Sequence, residues 1–125
     1  ASFGVESGRL PYTVFMAKKS YIDKNRGVIQ KFTNAITKAQ LWVEDHPAGE
    51  IADAVLEFFE GTDRDIAVSV IGRYKSQQSY AVGGVIDEAE WNNLLDVMTQ
   101  AGEIAERTPL EAIVDNSFAE KALER

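Results

Sequence analysis

Residues 80–123, YAVGGVIDEAEWNNLLDVMTQAGEIAERTPLEAIVDNSFAEKAL, carry the strongest fold signals of the chain. Asp87 and Glu90 have the spacing of a capping box, in which two side chains satisfy free backbone donors at a helix start. Gly102 follows the apolar positions of this helix and suits the left-handed conformation that ends one. Another capping box begins at Ser117. The stretch therefore predicts consecutive short helices, and it contains no obvious catalytic group.

The middle of the chain is also predicted to be helical. A short helix covers KKSYIDKN, residues 18–25, and a long one runs over about 26–46. Apolar residues recur along the long helix at helical spacing and predict one wide buried stripe. The stripe consists of Val28, Ile29, Phe32, Ala35, Ile36, Ala39, Trp42 and Val43. Two further helices are predicted, one at about 48–59 and one after a capping box that begins at Thr62.

One stretch near the N terminus has the composition of a strand. PYTVFMA, residues 11–17, is rich in β-branched and aromatic residues and mostly apolar, as expected of a strand buried on both faces. A lone strand is not stable, because its backbone groups need neighbours. We therefore expect this strand to pair with residues 2–6 or with a second copy, or to have partners outside this polypeptide.

Charge and cysteine content narrow the range of partners and chemistry. The chain has 125 residues, a formal net charge of −7 and no cysteine, which excludes disulfides and thiolate metal sites. An acidic surface disfavours binding to nucleic acid or to an anionic membrane. The lysines of the first third are spaced along helices, and we interpret them as solvated helix faces.

The sequence gives no support to an enzyme, a metal site or a cofactor. His46 is the only histidine, so a multi-histidine metal site is excluded. The acidic pairs lie at helix starts, where carboxylates stabilise free amides. Gly83 and Gly84 lack the lysine and hydroxyl residue of a phosphate loop, and no serine has the setting of a nucleophile elbow. We predict no catalytic residue, no metal ligand and no cofactor.

A local feature hints at a ligand. GVESGRLPYT, residues 4–13, combines two glycines, a carboxylate and hydroxyl groups at the entrance to the predicted strand. Small-molecule sites are often built from loops at strand ends. An ordinary turn would have the same composition, so both interpretations stay open at this point.

The order of the segments resembles a known family. SYIDKN, RGVIQKFTNAITKAQLWVEDHP, IADAVLEFF and WNNLLDVMTQAGEI followed by TPLEAIVDNSFAEKAL occur in the order and spacing found in the C-terminal part of bacterial ABC-transporter solute-binding proteins. The branch resembled includes thiamine-pyrimidine, nitrate, sulfonate and taurine binders. The resemblance implies a type II periplasmic-binding-protein fold, which is α/β with two lobes. This chain would then be a mostly helical C-terminal fragment with one or two strands, in which residues 1–17 form a hinge strand and residues 18–125 form helices of the first lobe.

The same resemblance implies a function. Such proteins capture a small polar solute between two lobes and deliver it to an ABC permease in the membrane, so the full-length protein would be extracytoplasmic, either periplasmic or a membrane-anchored lipoprotein. No signal peptide is recognisable in this chain. By position near the hinge, Glu6, Ser7, Gly8 and Tyr12 are predicted to contact the ligand. The unpaired strand would promote self-association. The alternative is a free-standing acidic helical domain that binds other proteins.

Overall fold

Six α-helices account for more than half of the described chain. The computed structural model describes residues 6–124. The helices that lie entirely within this range are α1 Lys19–Lys24, α2 Arg26–Asp45, α3 Ala48–Val55, α4 Arg64–Ser76, α5 Glu88–Gln100 and α6 Ser117–Leu123. Two short 3₁₀ helices are present at Leu56–Phe58 and Leu110–Ala112.

The predicted α/β two-lobe fold is wrong. No strand is present among residues 6–124, and residues 11–17 have no regular structure. Tyr12, Phe15 and Met16 are 87%, 74% and 87% exposed. The Phe15 ring contacts Phe32 of α2 at 4.9 Å, but no described backbone segment forms hydrogen bonds with residues 11–17, so the β propensity of this segment does not produce a strand. Because residues 11–17 form no strand, the predictions of a hinge strand and of self-association through that strand are also wrong.

The start of α5 follows the predicted capping pattern in part. The Asp87 carboxylate accepts a hydrogen bond from the Glu90 backbone N–H at 2.8 Å. The Glu90 carboxylate lies 2.8 Å from the guanidinium of Arg9, so the second half of the box is replaced by an ion pair. At the other end, Gly102 has φ +74°, and the N–H of Glu103 donates to the carbonyl of Met98 at 2.9 Å. These bonds close the helix end as predicted.

Two predicted caps are shifted by one residue. Asp63, not Thr62, caps α4, and its carboxylate accepts from the backbone N–H groups of Asp65 and Ile66. At α6 the N-cap is Asn116, not Ser117, and the Asn116 side chain makes no capping bond to that helix. Neighbouring polar residues compete for the cap, and spacing alone does not decide between them.

The core is divided among helix pairs. Helix α2 packs against α6, and α3 packs against α4. One buried cluster centres on the α3–α4 pair, and a second joins α5 to the segment that follows it. The first consists of Ile51, Ala52 and Ile71, and the second of Trp91, Leu95 and Leu110. In α6, Phe118, Ala119 and Ala122 are buried.

Helix α2 is rotated relative to the prediction. Thr37 is the buried residue of this helix at 2% exposure, whereas Val28, Phe32 and Trp42 of the predicted stripe are 55%, 45% and 36% exposed. Residues 28, 32, 35, 39 and 42 repeat at intervals of four and three, so they share one helix face. That face is apolar and lies opposite Thr37.

The chain exposes more surface than is usual for its size. Its accessible area is 9338 Å², whereas a compact monomer of 13.8 kDa is expected to expose about 6,600 Å². Phe58 and Phe59, at the end of the helix predicted at about 48–59, are 75% and 58% exposed. None of the described helices combines the length and the apolar composition that crossing a bilayer requires.

Candidate functional site: a basic groove between α2 and α6

A groove of about 480 Å³ lies between the N-terminal half of α2 and helix α6. Its lining comprises Arg26, Gly27, Gln30, Lys31, Asn34, Ser117, Phe118 and Lys121. Three of these eight residues are cationic and none is acidic. The volume falls within the range of small-molecule sites, about 300–1,000 Å³. In a chain of net charge −7, this groove is a local concentration of positive charge.

The two walls are held together by polar contacts. The Gln30 side-chain amide donates to the backbone carbonyl of Phe118 at 2.9 Å and to Asn34 Oδ1 at 2.9 Å. The Arg26 guanidinium lies 4.5 Å from the centre of the Phe118 ring, a cation–π contact. It also donates to Ser117 Oγ at 3.4 Å. These contacts join the two walls and hold the Arg26 guanidinium beside Phe118.

Lys31 and Lys121 border the same groove from opposite helices. Both are exposed, and neither ammonium group makes a hydrogen bond or ion pair within residues 6–124. By contrast, Lys19 pairs with Asp23, and Arg64 pairs with Asp53. Two unpaired cations beside one groove repel each other, and an anion placed between them would relieve that repulsion.

Gly27 lies in the first turn of α2 and keeps one part of the groove open. A Cβ atom built at Gly27 would meet nothing within 4 Å. The side chain of the N-cap residue Asn25 makes no capping bond and donates instead to the carbonyl of Tyr21 at 2.9 Å. No side chain of the N-cap residue therefore competes for the first-turn amides of α2.

Asp115 lies just outside the lining and contacts Arg26. Its carboxylate accepts from the Ser117 hydroxyl at 2.5 Å and from the Ser117 backbone N–H at 3.1 Å, and lies 3.6 Å from the Arg26 guanidinium. The hydrogen bond from the Ser117 hydroxyl is the main cause that lowers the pKa of Asp115 below its ordinary value. Asp115 is therefore ionised at neutral pH and offsets the charge of Arg26, whereas neither Lys31 nor Lys121 contacts a described carboxylate.

A second groove, of about 280 Å³, is apolar. It lies beside the C-terminal half of α2 and is lined by Ile36, Ala39, Gln40, Val43, Tyr80 and Ala81. Burial raises the pKa of the Tyr80 phenol, and the nearby Tyr74 raises it further. The Tyr74 and Tyr80 rings contact each other edge-on, with their centres 5.9 Å apart. Within residues 6–124 the oxygen of the Gln40 side chain has no hydrogen-bond partner, but it is buried and a solute in the groove could not reach it.

The four residues predicted to bind ligand lie outside the basic groove. The carbonyl of Ser7 accepts a hydrogen bond of 2.7 Å from Asn93 on α5. Gly8 has φ +72°, and a Cβ atom there would come within 3.4 Å of the same amide. Glu6 and Tyr12 are exposed, and Tyr12 makes no hydrogen bond or ring contact with the described residues. Ser7 and Gly8 are thus anchored to α5, and a ligand-binding role for any of the four stays a prediction.

The sequence contained only a partial signal for the basic groove. Arg26 and Lys31 belong to the lysine-rich first third, which we interpreted as solvated helix faces. Lys121 lies near the C terminus, and nothing in its surroundings indicates that α6 packs beside the start of α2. Among residues 6–124 there is no group of three potential metal ligands from His, Cys, Asp and Glu.

Comparison with known proteins identifies a relative of this chain. The chain is 47% identical over 121 residues to a protein of Bacillus subtilis (strain 168) named "Putative binding protein YtlA". The match covers 97% of this chain and 36% of the relative, so the chain spans about a third of the length of that protein. No protein-family model matches the chain. No solved structure matches it either.

These findings correct the resemblance drawn from the sequence. The name of the relative states binding and nothing narrower, and no family model matches. The described residues also lack the sheet that a type II periplasmic binding protein requires. Identification as a C-terminal segment of that transporter family is therefore not upheld, and the thiamine, nitrate, sulfonate and taurine specificities fall with it. What stands is the coarser statement that this helical chain is similar to a protein named for binding.

Proposed function

We propose that this chain contributes to the non-covalent binding of a small polar solute, and that the basic groove between α2 and α6 is its site. The observation that carries the proposal is the groove itself, which joins a volume of about 480 Å³ to a lining rich in hydrogen-bonding side chains. Small-molecule sites combine a concave surface with a few convergent polar groups. Similarity to a protein named for binding supports the same class.

The proposed role is binding without reaction. The groove lining contains Ser117 but no histidine. The Ser117 hydroxyl donates to the Asp115 carboxylate, whose lowered pKa makes it a weak base for activating a nucleophile. In this proposal the solute is passed on to a membrane permease of an ABC importer, and the protein works outside the cytoplasm. Cell fractionation and crosslinking to a membrane partner would test these two points separately.

Substitution of Gly27 tests the groove as the site. Gly27→Leu adds a side chain where no neighbour stands in the way, so the fold should persist while the groove is obstructed. Gly27→Ala is the matched control, because it makes the same backbone change with a single methyl group. Binding would be followed by NMR from the amide signals of Gly27 and Ser117, with inorganic phosphate, acetate, glucose and choline as probes.

The expected result is that at least one probe shifts these amide signals in a saturable way. The shift of the Ser117 signal should persist in Gly27→Ala and be lost in Gly27→Leu. If no probe shifts either amide at millimolar concentration, or if Gly27→Leu binds as well as the unchanged chain, the groove is not a solute site.

A second candidate function has an observation of its own. The exposed apolar face of α2 includes Val28, Phe32 and Trp42, and such faces are typical of protein interfaces. It favours the alternative of a helical protein-interaction domain. Phe32→Lys should abolish such an interaction while leaving solute binding in the groove unchanged, which separates the two functions.

A further inference from the structure

We propose that the solute of the basic groove is a small anion, recognised through phosphate or carboxylate oxygens by the charges of Lys31 and Lys121, with the oriented Arg26 guanidinium as a further hydrogen-bond donor. This inference rests on the proposed function and adds the chemical class of the ligand. It follows from the charge of the lining and from the contacts of each cation.

The first step of the argument is the charge balance. The chain carries 20 acidic and 13 basic residues, yet the groove lining contains three cations and no acid. Asp115 is the acid that contacts this cluster, and its bonds go to Ser117 and Arg26. Neither lysine ammonium contacts a described carboxylate, and a concave surface concentrates the field of the two charges.

The second step concerns geometry. Arg26 is held by Phe118 and Ser117, so its guanidinium is already oriented before a ligand arrives. Lys31 on α2 and Lys121 on α6 are flexible point charges on opposite walls. Binding of an anion would then have to order two long side chains, Lys31 and Lys121, and not three, so the entropy cost of binding is lower.

The third step excludes the other ligand classes. A cation would meet the like charges of Lys31 and Lys121, and the lining contains no acidic side chain. A neutral solute could use Gln30, Asn34 and Ser117, but it would leave the two lysines uncompensated. Phosphate and carboxylate oxygens are the groups that pair with lysine in charge-assisted hydrogen bonds.

Charge-removing substitutions test the inference. Lys31→Gln and Lys121→Gln retain side-chain length and polarity, and Lys38→Gln is the matched control, because Lys38 lies on the same helix seven residues from Lys31 and outside the groove. Inorganic phosphate and acetate would be titrated against each variant, with glucose and choline as uncharged and cationic probes. Thermal unfolding would confirm that each variant is folded.

We expect each groove variant to weaken phosphate or acetate binding by about two- to fivefold, and the double variant by about tenfold. Lys38→Gln should bind as the unchanged chain does. Affinity should fall as salt rises from about 10 mM to about 100 mM, since the screening length then falls from about 30 Å to about 10 Å. The ratio of phosphate to acetate affinity identifies which headgroup the groove prefers.

The outcomes separate this inference from the proposed function. If glucose or choline binds in a manner that Gly27→Leu abolishes, and phosphate and acetate do not, the groove is a solute site and the anion assignment is wrong. Equal anion binding by the double variant and by Lys38→Gln also overturns the assignment. If no probe binds the groove at all, both proposals fail.

Discussion

The side-chain amide of Asn116 forms a closed pair of hydrogen bonds with the backbone of Ile86. Its Nδ2 donates to the Ile86 carbonyl at 2.8 Å, and its Oδ1 accepts from the Ile86 N–H at 3.1 Å. Both bonds are partly buried and span 30 residues of sequence. The amide thus takes the place of a neighbouring strand for one residue, and it joins the segment before α5 to the start of α6.

Removal of this amide should destabilise the fold. Asn116→Ala leaves two partly buried backbone groups of Ile86 without partners, so we expect a loss of about 1–3 kcal/mol in the free energy of unfolding. Asn25→Ala, which removes one exposed bond to Tyr21, should cost less than about 0.5 kcal/mol. Urea denaturation checks both values. Equal losses in the two variants would contradict the structural role of Asn116.

Asn93 should hold the N-terminal segment against α5. Its Nδ2 donates to the carbonyls of Ser7 and Arg9 at 2.7 and 2.9 Å. The Arg9–Glu90 ion pair adds little, because the side chain of Arg9 is 78% exposed. Asn93→Ala should therefore accelerate tryptic cleavage after Arg9 by several-fold, with global stability changed by less than about 1 kcal/mol.

Asn92→Ala is the matched control for this experiment. Asn92 precedes Asn93 on α5, but its side chain accepts from Arg107 and does not contact the N-terminal segment. Cleavage after Arg9 should proceed in this variant at the rate of the unchanged chain. Identical rates in all three proteins would show that Asn93 does not restrain the segment.

Two glycine substitutions should change stability in opposite directions. Gly102 has φ +74°, and a Cβ atom there would meet nothing within 4 Å, so Gly102→Ala suffers backbone strain alone. We expect a loss of about 1–2 kcal/mol. Gly27 lies within α2 without positive φ and has equal space, so Gly27→Ala should gain about 0.5–1 kcal/mol. Thermal unfolding should show a lower midpoint temperature for Gly102→Ala and a higher one for Gly27→Ala than for the unchanged chain.

Features that depend on neighbouring residues were predictable from the sequence. The Asp87 cap and the Gly102 helix end require only residues within one turn, and both occur as predicted. The α1 and α2 boundaries were also close to the predicted ones. Where two adjacent residues could serve as the cap, as at Asp63, the local pattern was ambiguous by one position.

Features that depend on distant contacts were not predictable. Residues 11–17 have strand propensity, but a strand forms only when another segment supplies its hydrogen bonds. The groove depends on contacts such as that of Arg26 with Ser117, which are 91 residues apart. The orientation of α2 was missed because apolar residues occur on more than one of its faces, so periodicity alone does not select the buried one.

The Ser117–Asp115 pair should give a pH-dependent contribution to stability. The pKa of Asp115 in the folded chain is lowered from its ordinary value of 3.8, first by the hydrogen bond from Ser117. The stabilisation is therefore fully present above about pH 3.8, and it is lost as the pH falls through the lower pKa that Asp115 has in the folded chain. Ser117→Ala should raise the pKa of Asp115 towards its ordinary value, as measured by carboxyl NMR titration. An unchanged titration midpoint would show that the hydroxyl does not set this pKa.

The orientation of α2 can be tested with two lysine substitutions on opposite faces. Val28 is 55% exposed, so Val28→Lys should change the free energy of unfolding by less than about 0.5 kcal/mol. Thr37 is 2% exposed, and Thr37→Lys would place a charge among residues that pack against other helices, at a cost of about 3 kcal/mol or more. Urea denaturation measures both. A large loss in Val28→Lys with a small one in Thr37→Lys would restore the orientation predicted from periodicity, in which the Val28 face is buried.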